Sequence, residues 1–355
     1  ALFFYSISVT NFTKIYFLSA FQEILMVVFI LLSILSYLTK PSTKNTLISL
    51  LFFILALASK ETAVVLPFIL LVLDWSRGKT KIKRILPFII ILLPYLCFRF
   101  SYFGSVEGES YIWDFSPKRT ANTLFWYTLW SFGAPELLVD YVSSGFRILP
   151  RFYTDFPFWS SVILLLTSLT LLSFLIMFIK NIKAIDKKFL FALGVFVLGL
   201  VPVLFLPWHK FTLELTLPMV GFSLMLAKLS LRRRNKLLVA IFIFLFFILN
   251  ISTNILSYKT HYSVSRAKLA RRIYTYFRST YPKYPQGKYF EFINDTEAYP
   301  ETWGSSKQVA HAASGSNLFK VLYKDKSIKV YYQDYEAERP KDKEKIEISS
   351  RMFLE

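Results

Sequence analysis

The chain has one cysteine, Cys97, so no internal disulfide can form. Its three histidines lie far apart in sequence and there is no Cys/His cluster, so no metal site is expected. Acidic residues are scarce, with 23 Asp and Glu against 42 Lys and Arg, a net charge of +19. P-loop, GxGxxG, HExxH and GxSxG patterns are all missing, so nucleotide binding, zinc proteolysis and serine hydrolysis have no support. No internal repeat is present. Residues 1–10 lack the basic region and small-residue cleavage site of a signal peptide. They read as the tail of a helix whose start is missing, and the chain as an N-terminally truncated piece of a longer protein.

What the chain has in excess is apolar surface. It is 54% hydrophobic and 18% aromatic, with 37 Phe among 355 residues. Soluble chains do not carry so much, and here it comes in runs long enough to cross a bilayer. These runs are 21–38, 85–100, 158–179, 189–206 and 237–256, with shorter ones at 47–59, 62–74 and 214–227. The basic residues concentrate in loops 39–46, 75–84, 180–188 and 228–236. On a soluble protein such a charge would suggest nucleic acid, but in short loops between apolar runs it encodes orientation and implies no nucleic-acid partner. Alternating the spans puts all four basic loops in the cytoplasm and residues 258–355 outside. Segment 119–138 then fits as an interfacial or re-entrant helix within an outer loop, 101–157, with Trp113, Trp126, Trp130 and Trp159 at the membrane interface.

The expected fold is therefore an α-helical polytopic membrane protein over 1–257, with a small C-terminal α/β soluble domain over 258–355. That domain is expected to hold an amphipathic helix at about 259–280, a strand at Lys288–Ile293, a helix at about 304–323 and a strand at Ser327–Gln333. The charge-dense stretch 336–351 reads as mobile. His261 and His311 carry no motif and read as surface residues.

Ionisable groups in or beside apolar runs are costly, which makes them functional candidates. Here they are Glu23, Lys60, Glu61, Arg99, His209, Lys210 and Glu214, all at outer ends of spans, with Asp74 the acidic exception at an inner end. Ser59-Lys60-Glu61 joins two apolar runs without a glycine. It is either a tight turn, with Ser59 capping the next helix and Lys60 snorkelling, or a buried Lys/Glu pair holding an anion such as a phosphate. Pro207-Trp208-His209-Lys210 is either an interfacial belt or a His/Lys cluster on a lipid phosphate or sugar. Glu23 either bridges to a neighbouring helix or faces the same cavity, and Arg99 reads as a snorkelling helix end.

The stretch LFFILALASKETAVVLPFILLVLDW, residues 51–75, resembles the "SKE…P…D" signature of polytopic membrane glycosyltransferases of the GT-C class. More narrowly it resembles their protein O-mannosyltransferase-like branch. IYFLSAFQEIL (15–25), TLWSFGAPELLVDY (128–141) and VPVLFLPWHKFTLELTLPMVGFSLMLA (201–227) are similar to later segments of that family, in order. Two family positions differ: Phe21 stands where the family has arginine, and Phe211 lies where it has tyrosine.

The resemblance implies a GT-C-like helical bundle in a cell membrane, here a bacterial cytoplasmic one. It implies inverting transfer of a sugar from a polyisoprenyl-phosphate donor to a protein or glycan acceptor at the outer face, with no cofactor beyond that donor. Lys60 and His209 would bind the donor phosphate, with Lys210 and Glu214 beside them. Glu61 would orient Lys60, and Glu23 would order the site or bind acceptor. The general base would lie in an outer loop upstream of Ala1. Within the chain, Asp140 and Asp155 are the fallback, while Glu107, Glu109 and Asp114 fall in a stretch expected to be mobile. Two other classes compete. One is a transporter or lipid flippase, against which the charges gather at one face rather than the midplane. The other is a non-catalytic sensor or assembly protein.

Overall fold

The computed structural model describes residues 1–40, 42–78, 82–104, 111–143, 145–231, 236–294 and 304–354. Glu107, Glu109 and parts of the basic loops 75–84 and 228–236 lie outside them. Hydrophobic length sets the helices. They run in order as α1 (Leu2–Ile7), α2 (Phe12–Tyr16), α3 (Phe21–Leu38), α4 (Thr43–Ser59), α5 (Leu66–Ser76), α6 (Ile82–Phe98), α7 (Pro117–Phe132), α8 (Arg151–Asp155), α9 (Pro157–Lys180), α10 (Lys187–Leu204), α11 (Pro218–Ser230) and α12 (Lys236–Thr260). Among the described residues, five helices are long and apolar enough to cross a membrane. Four of them are Leu18–Leu38, Ile82–Tyr102, Pro157–Lys180 and Lys187–Leu204. The fifth lies in the stretch Lys236–Thr280, whose apolar part is α12. α4 and α11 are apolar but shorter.

The ends of these helices are written in local chemistry. Ser42 opens α4 by accepting from the Asn45 amide at 3.1 Å, and Asp186 opens α10 by accepting from the Lys188 and Phe189 amides, both at 3.0 Å. Residues 1–10 do not continue one helix: α1 stops at Ile7, Ser8 is extended, and a 3-10 turn, Val9–Asn11, leads into α2.

The chain divides into two compact units, Ala1–Ser257 and Tyr258–Glu355. In the first unit, polar side chains tie the helices where apolar ones only fill space. Ser33 and Ser49 exchange hydroxyl-to-carbonyl bonds of 2.8 Å, drawing α3 against α4. Asn250, buried in α12, accepts from the Val9 amide at 2.9 Å and donates to the Phe132 and Phe246 carbonyls at 3.2 and 2.8 Å. Asn250→Leu strands the Val9 N–H and the Phe132 C=O, each worth about 1–3 kcal/mol when left unpaired in the interior. Thermal unfolding in detergent is expected to show a clear fall in Tm; an unchanged Tm would contradict this.

α7 differs from its expected role. Trp126 and Trp130 are 3% and 0% exposed, packed with Tyr127 into the protein's own core rather than sitting at a lipid interface. The helix also ends earlier, because Gly133 takes a left-handed φ of 113° at its C-terminus. Trp113 is exposed.

The second unit has three helices, α13 (Tyr262–Thr280), α14 (Ser305–Ala313) and α15 (Asn317–Tyr323). They accompany a parallel sheet of β1 (Lys288–Ile293), β2 (Tyr331–Tyr332) and β3 (Glu344–Ser349), ordered β2-β1-β3. Phe277, Phe290, Phe292 and Phe319 form its core. Three expectations need correction. The helix at 304–323 is broken in two, with Ser314 and Gly315 both at positive φ. The strand at 327–333 shrinks to Tyr331–Tyr332. The stretch expected to be mobile contains β3, which pairs with β1 along its whole length and buries Ile348. Its period-two pattern, Lys345-Ile346-Glu347-Ile348, was hidden by the charges between the isoleucines.

Candidate functional site

Lys60 interrupts two helices. α4 closes with the Lys60 amide on the Ala56 carbonyl at 3.0 Å, and Lys60 itself is extended, at φ −157° and ψ 140°. Ser59 does not cap the next helix; its hydroxyl bonds back to the Leu55 carbonyl at 2.8 Å. A 3-10 turn, Glu61–Val65, and Pro67 at the start of α5 resume the path. The extended residue turns its side chain inward: Lys60 is 8% exposed and does not snorkel.

Two carboxylates meet it there. Glu23, in the first turn of α3, accepts from Lys60 Nζ through Oε1. Glu214 accepts from the same Nζ through Oε2 at 2.7 Å. Glu214 sits in a 3-10 turn, Thr212–Leu215, which Glu136 fastens by accepting from the Thr212 amide at 2.7 Å and from its hydroxyl. The other Glu214 oxygen lies 3.7 Å from His209 Nε2. The His209 ring lies against Tyr111, with centroids 4.4 Å apart, and meets Phe211 edge-on.

These groups line a cavity of about 840 Å³. Gln22, Glu23, Lys60, Glu61, Arg99, His209 and Glu214 face it, and the remaining wall is mostly apolar, including Phe17, Phe68, Trp113, Phe115, Leu198 and Val201. Lys60 carries three N–H donors, of which two go to carboxylates, leaving one for a ligand. The cluster thus offers a charged donor, two oriented carboxylates and an imidazole beside a space suited to a molecule with a small polar head and a long apolar body.

Not every expected residue arrives. Glu61 lines the cavity but is exposed, and Lys60 turns to Glu23 and Glu214 instead of to it. A sequence neighbour starting the next turn points away from an extended lysine. Lys210 donates to Asn122 Oδ1 at 3.1 Å and is not part of the cavity wall. Arg99 is part of it and also donates to the Gly104 carbonyl at 3.2 Å. Asp140 and Asp155 are not part of it. Asp155 accepts from the Tyr141 hydroxyl at 2.7 Å, and burial raises the Asp140 carboxyl above its ordinary value. Asp114 bonds the Ser116 amide and Arg119. Among the described residues no group of three or more His, Cys, Asp or Glu could hold a metal ion.

Sequence reasoning missed Tyr111, Gln22 and Glu136, which carry no motif, and Lys14, a lone lysine in the otherwise uncharged turn Phe12–Tyr16. Asp74, buried at the other end of α5, accepts from the Tyr37 hydroxyl at 2.7 Å, and Arg84 stacks on that ring. This is a helix-packing contact outside the cavity. No family model, no curated protein and no solved structure matches this chain.

Proposed function

We propose that this chain is a membrane glycosyltransferase of GT-C type that moves a sugar, with inversion, from a polyisoprenyl-phosphate donor to a protein or glycan acceptor at the outer face of a membrane. The observation that carries the reading is the convergence of Glu23, Lys60, His209 and Glu214 on the wall of a largely apolar cavity. They come from three separated segments, and each lies in a segment on which the family resemblance rests.

The chemistry follows from the parts. The acceptor hydroxyl oxygen attacks the anomeric carbon, the bond from that carbon to the phosphate oxygen breaks, and the phosphate keeps the electron pair. The third N–H of Lys60, with His209, offsets the charge that grows on the phosphate. The acceptor proton needs a carboxylate within reach. That proton passes to Glu23 or Glu214, which line the cavity where Asp140 and Asp155 do not. The apolar wall suits the isoprenoid and keeps water from the reacting carbon.

The direct test supplies purified full-length protein in nanodiscs with polyprenyl-phosphate hexoses labelled in the sugar, together with membrane acceptors. Transfer of label is expected; the absence of transfer with every donor, from protein that is folded, would sink the reading. Orientation is tested separately on a Cys97→Ser background. Lys326→Cys, exposed in the second unit, should react with an impermeant maleimide in intact cells, whereas Lys183→Cys should react only after lysis. Labelling of position 326 only after lysis would reverse the topology.

A further inference from the structure

Lys14 has no place in the chemistry above. It sits in α2, ahead of the first apolar span, with its side chain 5% exposed. Its Nζ has no hydrogen-bond partner among the described residues. Its electrostatic neighbours are Glu23 on α3 and Glu214 in the 3-10 turn, which attract it, and Lys60 at the α4 junction, which repels it. Burial outweighs these attractions and brings the amine down to about 7. Two buried carboxylates are therefore shared between two lysines, and Lys60 holds both hydrogen bonds.

That division creates a difficulty for any anion in the cavity. An anion that accepts from the third N–H of Lys60 joins Glu23 and Glu214 as a third negative group around one ammonium. Three buried negative charges would then share one ammonium, which the interior does not tolerate. A second cation within their field, uncharged until needed, removes the difficulty. We propose that Lys14 is a reserve cation: when an anionic ligand accepts from the free N–H of Lys60, Lys14 takes up one proton from solvent and supplies the second countercharge beside Glu23 and Glu214. One anion and one proton enter together, so the total charge of the buried group is unchanged, and no covalent bond other than the new N–H is made.

The sign follows from the amine being neutral at rest above about 7. There, anion binding consumes a proton and weakens as pH rises, by up to about tenfold per pH unit. Below that value Lys14 is already charged and affinity levels off. The inference rests on the lipid-phosphate reading of the cavity, and the experiment separates the two.

The probe is a short-chain polyprenyl phosphoryl hexose, a diester that does not itself titrate near neutrality. Calorimetry of the full chain in nanodiscs at about pH 8, in two buffers of different ionisation enthalpy, counts protons taken up per ligand bound. Wild type is expected to take up about one proton, and Lys14→Met and Lys14→Arg about none, since one cannot charge and the other is always charged. Lys14→Met should also lose the pH dependence of affinity. A merely structural lysine would leave proton uptake intact in both variants. Wild-type binding without proton uptake, or uptake unchanged in a folded Lys14→Met or Lys14→Arg protein, overturns the reserve-cation role alone. Absence of binding by wild type overturns that role and the lipid-phosphate reading together.

Discussion

Lys60→Met is expected to abolish sugar transfer and to cost the first unit about 3–5 kcal/mol of stability, because it leaves Glu23 and Glu214 buried without their shared partner. The two effects have different origins. The stability loss comes from carboxylates that lose both hydrogen bonds of Lys60 and keep near them Lys14, whose amine bonds to neither, and, beside Glu214, His209. Under the proposed glycosyltransferase reading, the rate loss comes from a missing charge at the donor phosphate, on the order of a hundredfold or more in a dry site. Adding Glu23→Gln and Glu214→Gln to Lys60→Met removes the buried charges left without those hydrogen bonds, so that triple variant should recover most of the lost Tm but none of the activity. Lys60→Gln in full-length protein provides the opposing outcome: activity within a few-fold of wild type would show that the lysine is only a packing device.

Gly221→Leu should prevent the first unit from folding, and Gly221→Ala should lower its Tm markedly. Gly221 lies where α11 crosses α10, and even a Cβ there would collide with the backbone of Ala192 and stand 2.5 Å from the Phe196 amide nitrogen. Backbone cannot yield as a flexible side chain can, so α10 and α11 must part. Overpacking of this kind costs about 1–3 kcal/mol for small insertions and more for large ones. A Cβ at Gly199 would likewise stand 3.0 Å from the Pro218 ring, so the contact has little slack along its length. The cavity registers the same strain, since α10 supplies Leu198 and Val201 to its wall and Glu214 stands just ahead of α11. Wild-type Tm in Gly221→Ala would refute the close-contact argument.

Much of the first unit could be read without coordinates. α3, α6, α9, α10 and α12 lie within a few residues of the apolar runs, because hydrophobic length is a property of a continuous segment. The ionisable groups of the site were equally visible one at a time: Glu23, Lys60, His209 and Glu214 are costly where they stand, and cost alone marks them. β1 was legible from its alternation, and β3 was not, because charged residues flank its two isoleucines and its burial comes from pairing with a strand about fifty residues earlier.

The sequence by itself determined where the long apolar helices α3, α6, α9, α10 and α12 lie, and which charges had to find partners. Tertiary structure alone decided who those partners are. Glu61 is adjacent to Lys60 in sequence yet stays exposed, while Glu23 and Glu214, distant in sequence, share its ammonium. The reason is geometric: one extended residue between two helices sends its side chain into the bundle, where the ends of other segments supply the counterions. Trp126 and Trp130 follow the same logic. Their composition suited a lipid interface, but a nonlocal core encloses them, and local sequence carries no record of which surface covers a tryptophan. Lys14 shows it most sharply: an isolated lysine in a short turn becomes part of the charge balance of the cavity only because folding brings it into the field of Glu23 and Glu214.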